Sequence, residues 1–426
     1  MNLTQNQRIN QVQESSIVIG IDIASEIHYA RAFDWRGMEL GKVQPFENNL
    51  QGFEKLNEWI KQLQQTHGKD NVLLGAEPTG HYWFNLADYA KDKDLSLVLV
   101  NPFHVKRSKE LDDNHPGKSD RKDPKTIAKL VIQGRYMTPY IPEGIYADLR
   151  IAMNNRQHIV KEVNSIKNRI ERWLNIHFPE YKEVFASPYG MASLEILKTC
   201  PLPRDILELG EEKINECWRA KKIKAVGKKR AGRLYQAAEK SIGRKEGIQM
   251  AKMELEMLLA DYEQKYQQLS TLMKAIEALC QEIPAINQIL AIKGIGILSI
   301  AGIFAEIGDI SRFDSPKQIQ KLAGLAIGEN SSGKHKGKTS ITKRGRKRLR
   351  AVLFQVILPL VANNQEFREL HHYYTTREHN PLKKKQSLIA LCCKLIRILY
   401  GISTKGFRYD GNKMLSDIKR QDPKAA

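Results

Sequence analysis

The chain has 426 residues and carries 68 Lys and Arg against 48 Asp and Glu, a formal net charge of +20. Hydrophobic residues at 42% and charged residues at 27% exclude a disordered chain and allow two or three packed domains. The five cysteines form no C-x-x-C pair and lie beside no histidines at zinc spacing, which excludes a zinc finger or disulfide framework and fits a reducing cytoplasm.

Residues 1–14 read as a tail without the apolar core of a secretory signal. Residues 15–140 read as α/β. Strands are predicted at 17–22, 27–33 and 38–43, with Asp34-Trp35-Arg36-Gly37 as the hairpin turn between the last two. A helix follows over 52–64, where Phe53, Leu56, Trp59, Ile60 and Leu63 share one face. Next come a strand at 72–74, a helix at 81–90 and a strand at 95–100, closed by Asn101-Pro102 before a late helix. Three antiparallel-type strands followed by helix, strand, helix, strand, helix is the ribonuclease H-like order.

Residues 141–283 read as a helical connection. Apolar residues recur at three and four across 149–176 and 254–283, the signature of two long amphipathic helices forming an antiparallel coiled coil or an oligomer interface. The segment between them is less regular. Its Lys221-Lys222, Lys224 and Lys228-Lys229-Arg230 are either a solvated face or a nucleic-acid contact.

Residues 284–410 are mainly helical. The weakly charged stretch 286–308 is interrupted by Lys293, Glu306 and three glycines, so it makes a poor membrane span. Ile292-Lys293-Gly294-Ile295-Gly296 joins two predicted helices in a helix-hairpin-helix pattern. Gly294 and Gly296 there serve either a phosphate contact or a simple turn. A short helix begins near Pro316, and a polar loop runs from Ala323 to Gly345. The helix over 347–362 is expected to kink or end near Pro359. A last helix covers 388–399, and 411–426 reads as a charged, mobile tail.

Four acids stand out in this basic chain. Asp22 ends the first strand, Glu77 follows a later one, and Asp120 and Asp123 lie together before Pro124. Hard divalent cations such as magnesium take oxygen ligands, and ions on such carboxylates stabilise charge at phosphorus. Each acid also has a plainer reading, as a turn, a surface charge or a cap. Asp123 is either an N-cap with Pro at the first helical position, or the helix starts nearer Asp120 and places both acids on one face. The positive surplus points to nucleic acid, whose condensed counterions are released on binding.

The pieces Gly20-Ile21-Asp22, Ala76-Glu77-Pro78-Thr79-Gly80, Val100-Asn101-Pro102 and Lys118-Ser119-Asp120-Arg121-Lys122-Asp123 resemble the DEDD transposases of the insertion-sequence "one-ten" family, related to pilin-gene inverting recombinases. Ser119 stands where the family has Thr, and Pro124 where it has Ala. A second set resembles the transposase domain of the same family: Ile292 to Gly296, Ala323-Gly324-Leu325, Asn330-Ser331-Ser332-Gly333, Thr342-Lys343-Arg344-Gly345 and Arg348-Leu349-Arg350. The resemblance implies a RuvC-like (ribonuclease H-like) N-terminal domain in which Asp22, Glu77, Asp120 and Asp123 bind Mg2+ or Mn2+. It implies Ser332 as nucleophile, with Ser331 the neighbouring alternative, forming a phosphoserine link assisted by carboxylates of the same or a different subunit. Lys334, Lys336, Lys338, Lys343, Arg344, Arg346, Lys347, Arg348 and Arg350 would hold the phosphodiester. The implied partners are donor and target DNA, a structured non-coding bridge RNA and further copies of the chain, as dimer to tetramer. No membrane is implied, and the implied setting is a prokaryotic cytoplasm at the nucleoid. The alternative function is a RuvC-like metal-dependent, structure-specific DNA endonuclease in which Ser332 is incidental. A sugar-kinase or actin-like ATPase would need a second glycine-rich phosphate loop, which the sequence lacks, and a non-catalytic RNA- or DNA-binding protein using the helix-hairpin-helix and basic loops is separated by Asp22→Asn, which would then leave function intact.

Overall fold

The computed structural model describes residues 4–112, 123–224, 226–328, 331–332, 335–336 and 339–419. The chain divides into two compact units, Met1–Ile141 and Pro142–Ala426.

The first unit is a six-stranded mixed sheet covered on both faces. Helix α1 (Gln5–Ile9) leads into β1 (Ser16–Asp22), β2 (Ile27–Phe33) and β3 (Gln44–Glu47). Then follow α2 (Leu50–His67), β4 (Asn71–Ala76), α3 (Trp83–Asp92), β5 (Ser96–Val100), α4 (Pro102–Asp112), α5 (Asp123–Ile132) and β6 (Tyr136–Met137). The strand order is β3-β2-β1-β4-β5-β6. β1, β4 and β5 run parallel, and β2, β3 and β6 join antiparallel to their neighbours.

Burial on both faces explains the near-continuous apolar β1. Ile17, Ile19 and Ile21 point into a core shared with Phe53, Leu56 and Ile60 of α2 and Leu86 of α3. Val18 points the other way, to Ile127, Leu130 and Val131 of α5 and Val105 of α4. Asn49 starts α2 by accepting from the Gly52 amide at 2.8 Å, and Gly68, in a left-handed conformation, ends it.

Two local expectations of the first unit are corrected. The third strand is β3 at Gln44–Glu47 and not 38–43, which contributes one isolated bridge, Phe33 to Glu39. The turn itself is where expected: the Asp34 carboxylate accepts from the amides of Arg36 and Met38. Gly41, at φ 84°, then breaks the extended run before pairing resumes. Residues 5–9 are also no loose tail, because α1 docks on β6: the Tyr136 hydroxyl donates to the Arg8 carbonyl at 3.1 Å, and Gln5 donates to the Gln133 carbonyl at 3.1 Å.

The second unit is almost wholly helical. Helix α6 (Ile145–His177) and the later α11 (Ile248–Gln281) are the two long amphipathic helices, and they pack along each other. Between them the less regular segment consists of short helices: α7 (Tyr181–Val184), α8 (Met191–Thr199), α9 (Pro203–Ala220, interrupted at Gly210) and α10 (Lys228–Glu239). Trp173, Phe178, Tyr181, Phe185 and Trp218 hold them on α6 and α11 in one core, which outweighs the weak periodicity of these short helices. Lys228-Lys229-Arg230 is the first turn of α10, whose Ala231 and Leu234 are buried.

A second core gathers α12 (Ile286–Leu290), α13 (Ile297–Ile307), a 3-10 turn at Ile310–Arg312 and α14 (Pro316–Leu322). Four two-residue strands follow: β7 (Ile327–Gly328), β8 (Ser331–Ser332), β9 (His335–Lys336) and β10 (Ser340–Ile341). The core is completed by α15 (Lys347–Asn363), α16 (Gln365–Thr376), α17 (Lys384–Lys405), α18 (Gly411–Met414) and α19 (Ser416–Lys419). Helix α15 runs through Pro359 and ends at Asn363, close to the proline as expected. Only the last turn follows the proline, Leu360 is fully buried there, and the Pro359 carbonyl accepts from the Asn363 side chain at 2.9 Å. Helix α17 is long and apolar enough to cross a membrane by length and composition. Its Leu391, Leu395, Ile396, Leu399 and Ile402 are buried in this core, so its apolar character has a packing explanation. Met414 of α18 is buried in it too, so the C-terminal tail reading fails for 411–414.

Candidate catalytic site

Two glycines set where the acids of the first unit lie. Gly20 of β1 and Gly75 of β4 are register partners, and α5 crosses directly over both. A Cβ on Gly20 would stand 1.8 Å from the Pro124 carbonyl oxygen and 2.9 Å from the Ala128 amide nitrogen. A Cβ on Gly75 would stand 2.5 Å from a Val131 methyl. The helix backbone therefore rests on the strand backbone, which only glycine permits at Gly20. That contact brings Asp123, in the first turn of α5, to the carboxyl ends of β1 and β4.

Asp22 and Glu77 stand at those ends, since Ile21 and Ala76 are the last registered pair. Asp22 ends β1, and Glu77 is the first residue beyond β4. Lys109 of α4 forms an ion pair with Asp123, in which the Lys109 side chain is 35% exposed and that of Asp123 20%. Burial pushes the Glu77 carboxyl above its usual range; the Lys109 ammonium pulls it down and the Asp123 carboxylate pushes it up. Glu77, Lys109 and Asp123 are thus one electrostatic cluster. Asp120 lies outside the described residues. Among the described residues, no three His, Cys, Asp or Glu side chains converge closely enough to hold a metal ion. The donor chemistry nonetheless fits a hard cation: oxygen ligands only, with an ammonium standing in beside Asp123.

In the second unit, Ser332 lies on a small hairpin. β8 pairs antiparallel with β9, Ser331 opposite Lys336 and Ser332 opposite His335. β7 pairs with β10 through Ile327 and Ile341. Gly333, Lys334 and Lys338 lie outside the described residues. Where β7 and β10 enter the domain, the backbone is stitched to α14: the Arg346 amide donates to the Leu322 carbonyl at 2.7 Å, and Lys343 to Gly324 at 3.1 Å.

The expected phosphate contacts divide into two groups. Lys343, Arg344 and Lys347 are exposed. Arg346, Arg348 and Arg350 have internal partners instead. Arg348 Nε lies 3.3 Å from a carboxylate oxygen of Glu306 and Arg346 Nη1 3.8 Å from the other, while the Glu306 side chain is 11% exposed. Arg348 also donates to the Met153 carbonyl at 2.9 Å, and Arg350 to the Ala323 carbonyl at 2.9 Å. Guanidinium forks suit such carbonyl and carboxylate groups. Gly294, at φ 100°, has Pro359 and Leu360 backbone atoms 3.3 Å from where its Cβ would be, so close packing accounts for it. Nothing lies within 4 Å of the corresponding position on Gly296, the cap of α13.

Lys109 and Glu306 are the two residues of these clusters that sequence reasoning missed. Lys109 is one of three cations within Lys106-Arg107-Ser108-Lys109, and spacing does not distinguish it. Glu306 did carry a signal: it is the one acid in the apolar helix α13, and a buried carboxylate demands a cation.

Two family models match the chain, one over the acids of the first unit and one over the segment that holds the serine hairpin. A DEDD transposase model of the IS110 type matches residues 19–179, and a model of the transposase IS116/IS110/IS902 family matches residues 286–372. Together they span more than half of the chain, which belongs to the IS110 family of transposases. A Sinorhizobium fredii protein named as a transposase is 33% identical over 138 residues, 32% of this chain and 34% of that protein. The pilin gene-inverting protein of Moraxella bovis is 31% identical over 121 residues, 28% of this chain and 37% of its own. The transposase for insertion sequence element IS1111A of Coxiella burnetii is 33% identical over 95 residues, 22% of this chain and 23% of its own. The matched stretches thus span about a quarter to a third of these relatives' own length.

Proposed function

We propose that the chain is a transposase that cuts and rejoins DNA of its own insertion sequence through a phosphoserine intermediate. One observation carries the reading: the family match covers both the strand ends that bear Asp22 and Glu77 and the hairpin that bears Ser332. The strand order β3-β2-β1-β4-β5, with β2 alone antiparallel between β3 and β1, supports a RuvC-like (ribonuclease H-like) first unit.

Ser332 Oγ attacks the scissile phosphorus. The Oγ–P bond forms, the bond from phosphorus to a sugar oxygen breaks, and that oxygen leaves as a hydroxyl, gaining through solvent the equivalent of the proton that the Ser332 hydroxyl gives up. The phosphodiester energy is kept in the phosphoserine, so attack by a second DNA hydroxyl rejoins the strand without a nucleotide cofactor. Lys343, Arg344 and Lys347 hold the DNA backbone, and Arg346, Arg348 and Arg350 hold the root of the serine hairpin. Asp22, Glu77, Asp120 and Asp123 would hold Mg2+ or Mn2+, which would supply charge neutralisation at the phosphate. A structured bridge RNA pairs with donor and target DNA, leaving the protein to bind backbone and shape. The long helices α6 and α11 serve assembly into dimers or tetramers at the nucleoid.

The test is incubation with DNA spanning the element junction, co-expressed RNA and Mg2+, followed by denaturing electrophoresis. Wild type and Ser331→Ala form a covalent protein–DNA species, and Ser332→Ala forms none. If Ser332→Ala cuts the DNA as fast as wild type, the chain is a RuvC-like endonuclease and the phosphoserine scheme fails.

A further inference from the structure

The ion pair between α4 and α5 has a consequence for how the carboxylate site is loaded. We propose that Lys109 is the resident cation of this site: it occupies Asp123 while no divalent ion is present, and an incoming ion displaces it. The inference rests on the reading of the carboxylates as a divalent-cation site.

Three observations carry it. Lys109 Nζ sits directly on an Asp123 carboxylate oxygen, so an ion that uses this oxygen competes with the ammonium for it. The same ammonium acts on Glu77, so its charge serves two of the acids and not one cap alone. The Lys109 side chain is about one-third exposed, so a path to solvent stays open for it. Lysine suits the part. Its charge is compact, its four-carbon stem is flexible, and it forms no fixed fork that would lock both oxygens. Clustered carboxylates repel one another without a cation, as the Asp123 carboxylate acts on Glu77. A resident ammonium removes that repulsion and still yields to a doubly charged ion, which attracts each oxygen twice as strongly at equal distance.

The experiment is calorimetric titration of the full chain with Mn2+, with thermal melting in chelator and in Mn2+ as the second measurement. Wild type is compared with Lys109→Met, Lys109→Gln, Lys109→Arg and Asp123→Asn. The expected result is Mn2+ binding about tenfold tighter in Lys109→Met and Lys109→Gln, the scale of one removed competing charge. Lys109→Arg stays at or below wild-type affinity, and Asp123→Asn loses binding. The melting shift caused by Mn2+ is correspondingly larger in Lys109→Met than in wild type, because the ion replaces the missing charge. Wild type and Asp123→Asn differing as expected, with Lys109→Met and Lys109→Gln binding no tighter than wild type, overturns the proposal and leaves the ion site standing. No Mn2+ binding by any of the proteins overturns the ion site and the proposal together.

Discussion

Gly20→Ala is the sharpest test of how the acids are placed. A methyl group there meets the Pro124 carbonyl oxygen at 1.8 Å, the Pro124 carbonyl carbon at 2.8 Å and the Ala128 amide nitrogen at 2.9 Å. All three are backbone atoms, so no rotamer change relieves the clash. Bringing the nearest contact from 1.8 Å to 3.0 Å requires α5 to move by about 1.2 Å. That helix buries Pro124, Thr126, Ile127, Ala128, Leu130 and Val131, and lifting it loosens all of those contacts. Overpacking costs about 1–3 kcal/mol, and a rigid backbone obstacle places this case near the top, at about 3 kcal/mol. For a unit of this size that lowers the melting temperature by roughly 10 °C. Gly75→Ala supplies the control, because its obstacle is the Val131 methyl at 2.5 Å, a side chain. Adding Val131→Ala to Gly75→Ala recovers part of the loss, whereas no side-chain truncation recovers Gly20→Ala. The assay is calorimetric melting of the full chain, following the transition of the first unit. A Gly20→Ala protein melting within about 1 °C of wild type, against the shift expected for overpacking, refutes the close seating of α5 on β1 and with it the placement of Asp123.

The second unit supports two further predictions. Glu306→Gln removes the charge that faces Arg346 and Arg348, whose side chains are each 34% exposed. Partial exposure discounts the cost of breaking a buried pair, leaving about 2 kcal/mol, read as a lower denaturant midpoint at unchanged slope. The cations themselves separate by assay. Lys343→Ala, Arg344→Ala and Lys347→Ala each lower the salt slope of DNA binding by about one and leave the melting temperature alone. Arg346→Ala and Arg348→Ala do the reverse: they lower the melting temperature, because they strip partners from Glu306 and from the Met153 carbonyl. Equal salt slopes lost across all five variants would contradict this division.

What could be read in advance follows from how local each determinant is. β1 and β2 are legible because runs such as Ile17 to Ile21 carry their burial in their own composition. β3 was misplaced because the break at Gly41 depends on a backbone angle that apolar spacing does not reveal. The short helices between α6 and α11 were illegible for a related reason: their stability comes from aromatic contacts with α6 and α11, distant in sequence, and not from their own periodicity. The acids at strand ends could be proposed because position along a strand is local information. That a late helix start could meet those strand ends follows from the order of elements, but the contact that seats the helix does not, since it depends on Gly20 and Gly75, some 50 residues or more upstream of it.

The basic segment after Gly333 shows the same limit in charges. Sequence counts cations but cannot say which face a phosphate. Arg346 and Arg348 meet a carboxylate on α13, and Arg348 also meets the Met153 carbonyl on α6. A cation already neutralised by a protein carboxylate releases no DNA counterions, so it adds to the formal charge of +20 without adding to the electrostatic footprint. The footprint of this segment is therefore narrower than its composition suggests. Arginine's rigid fork goes to the fixed oxygens that hold the hairpin root, while the exposed positions are two lysines and one arginine. On the proposed reading, the hairpin is held firmly to aim a hydroxyl while its surroundings stay adaptable to admit DNA, and the paired and the exposed cations divide those tasks.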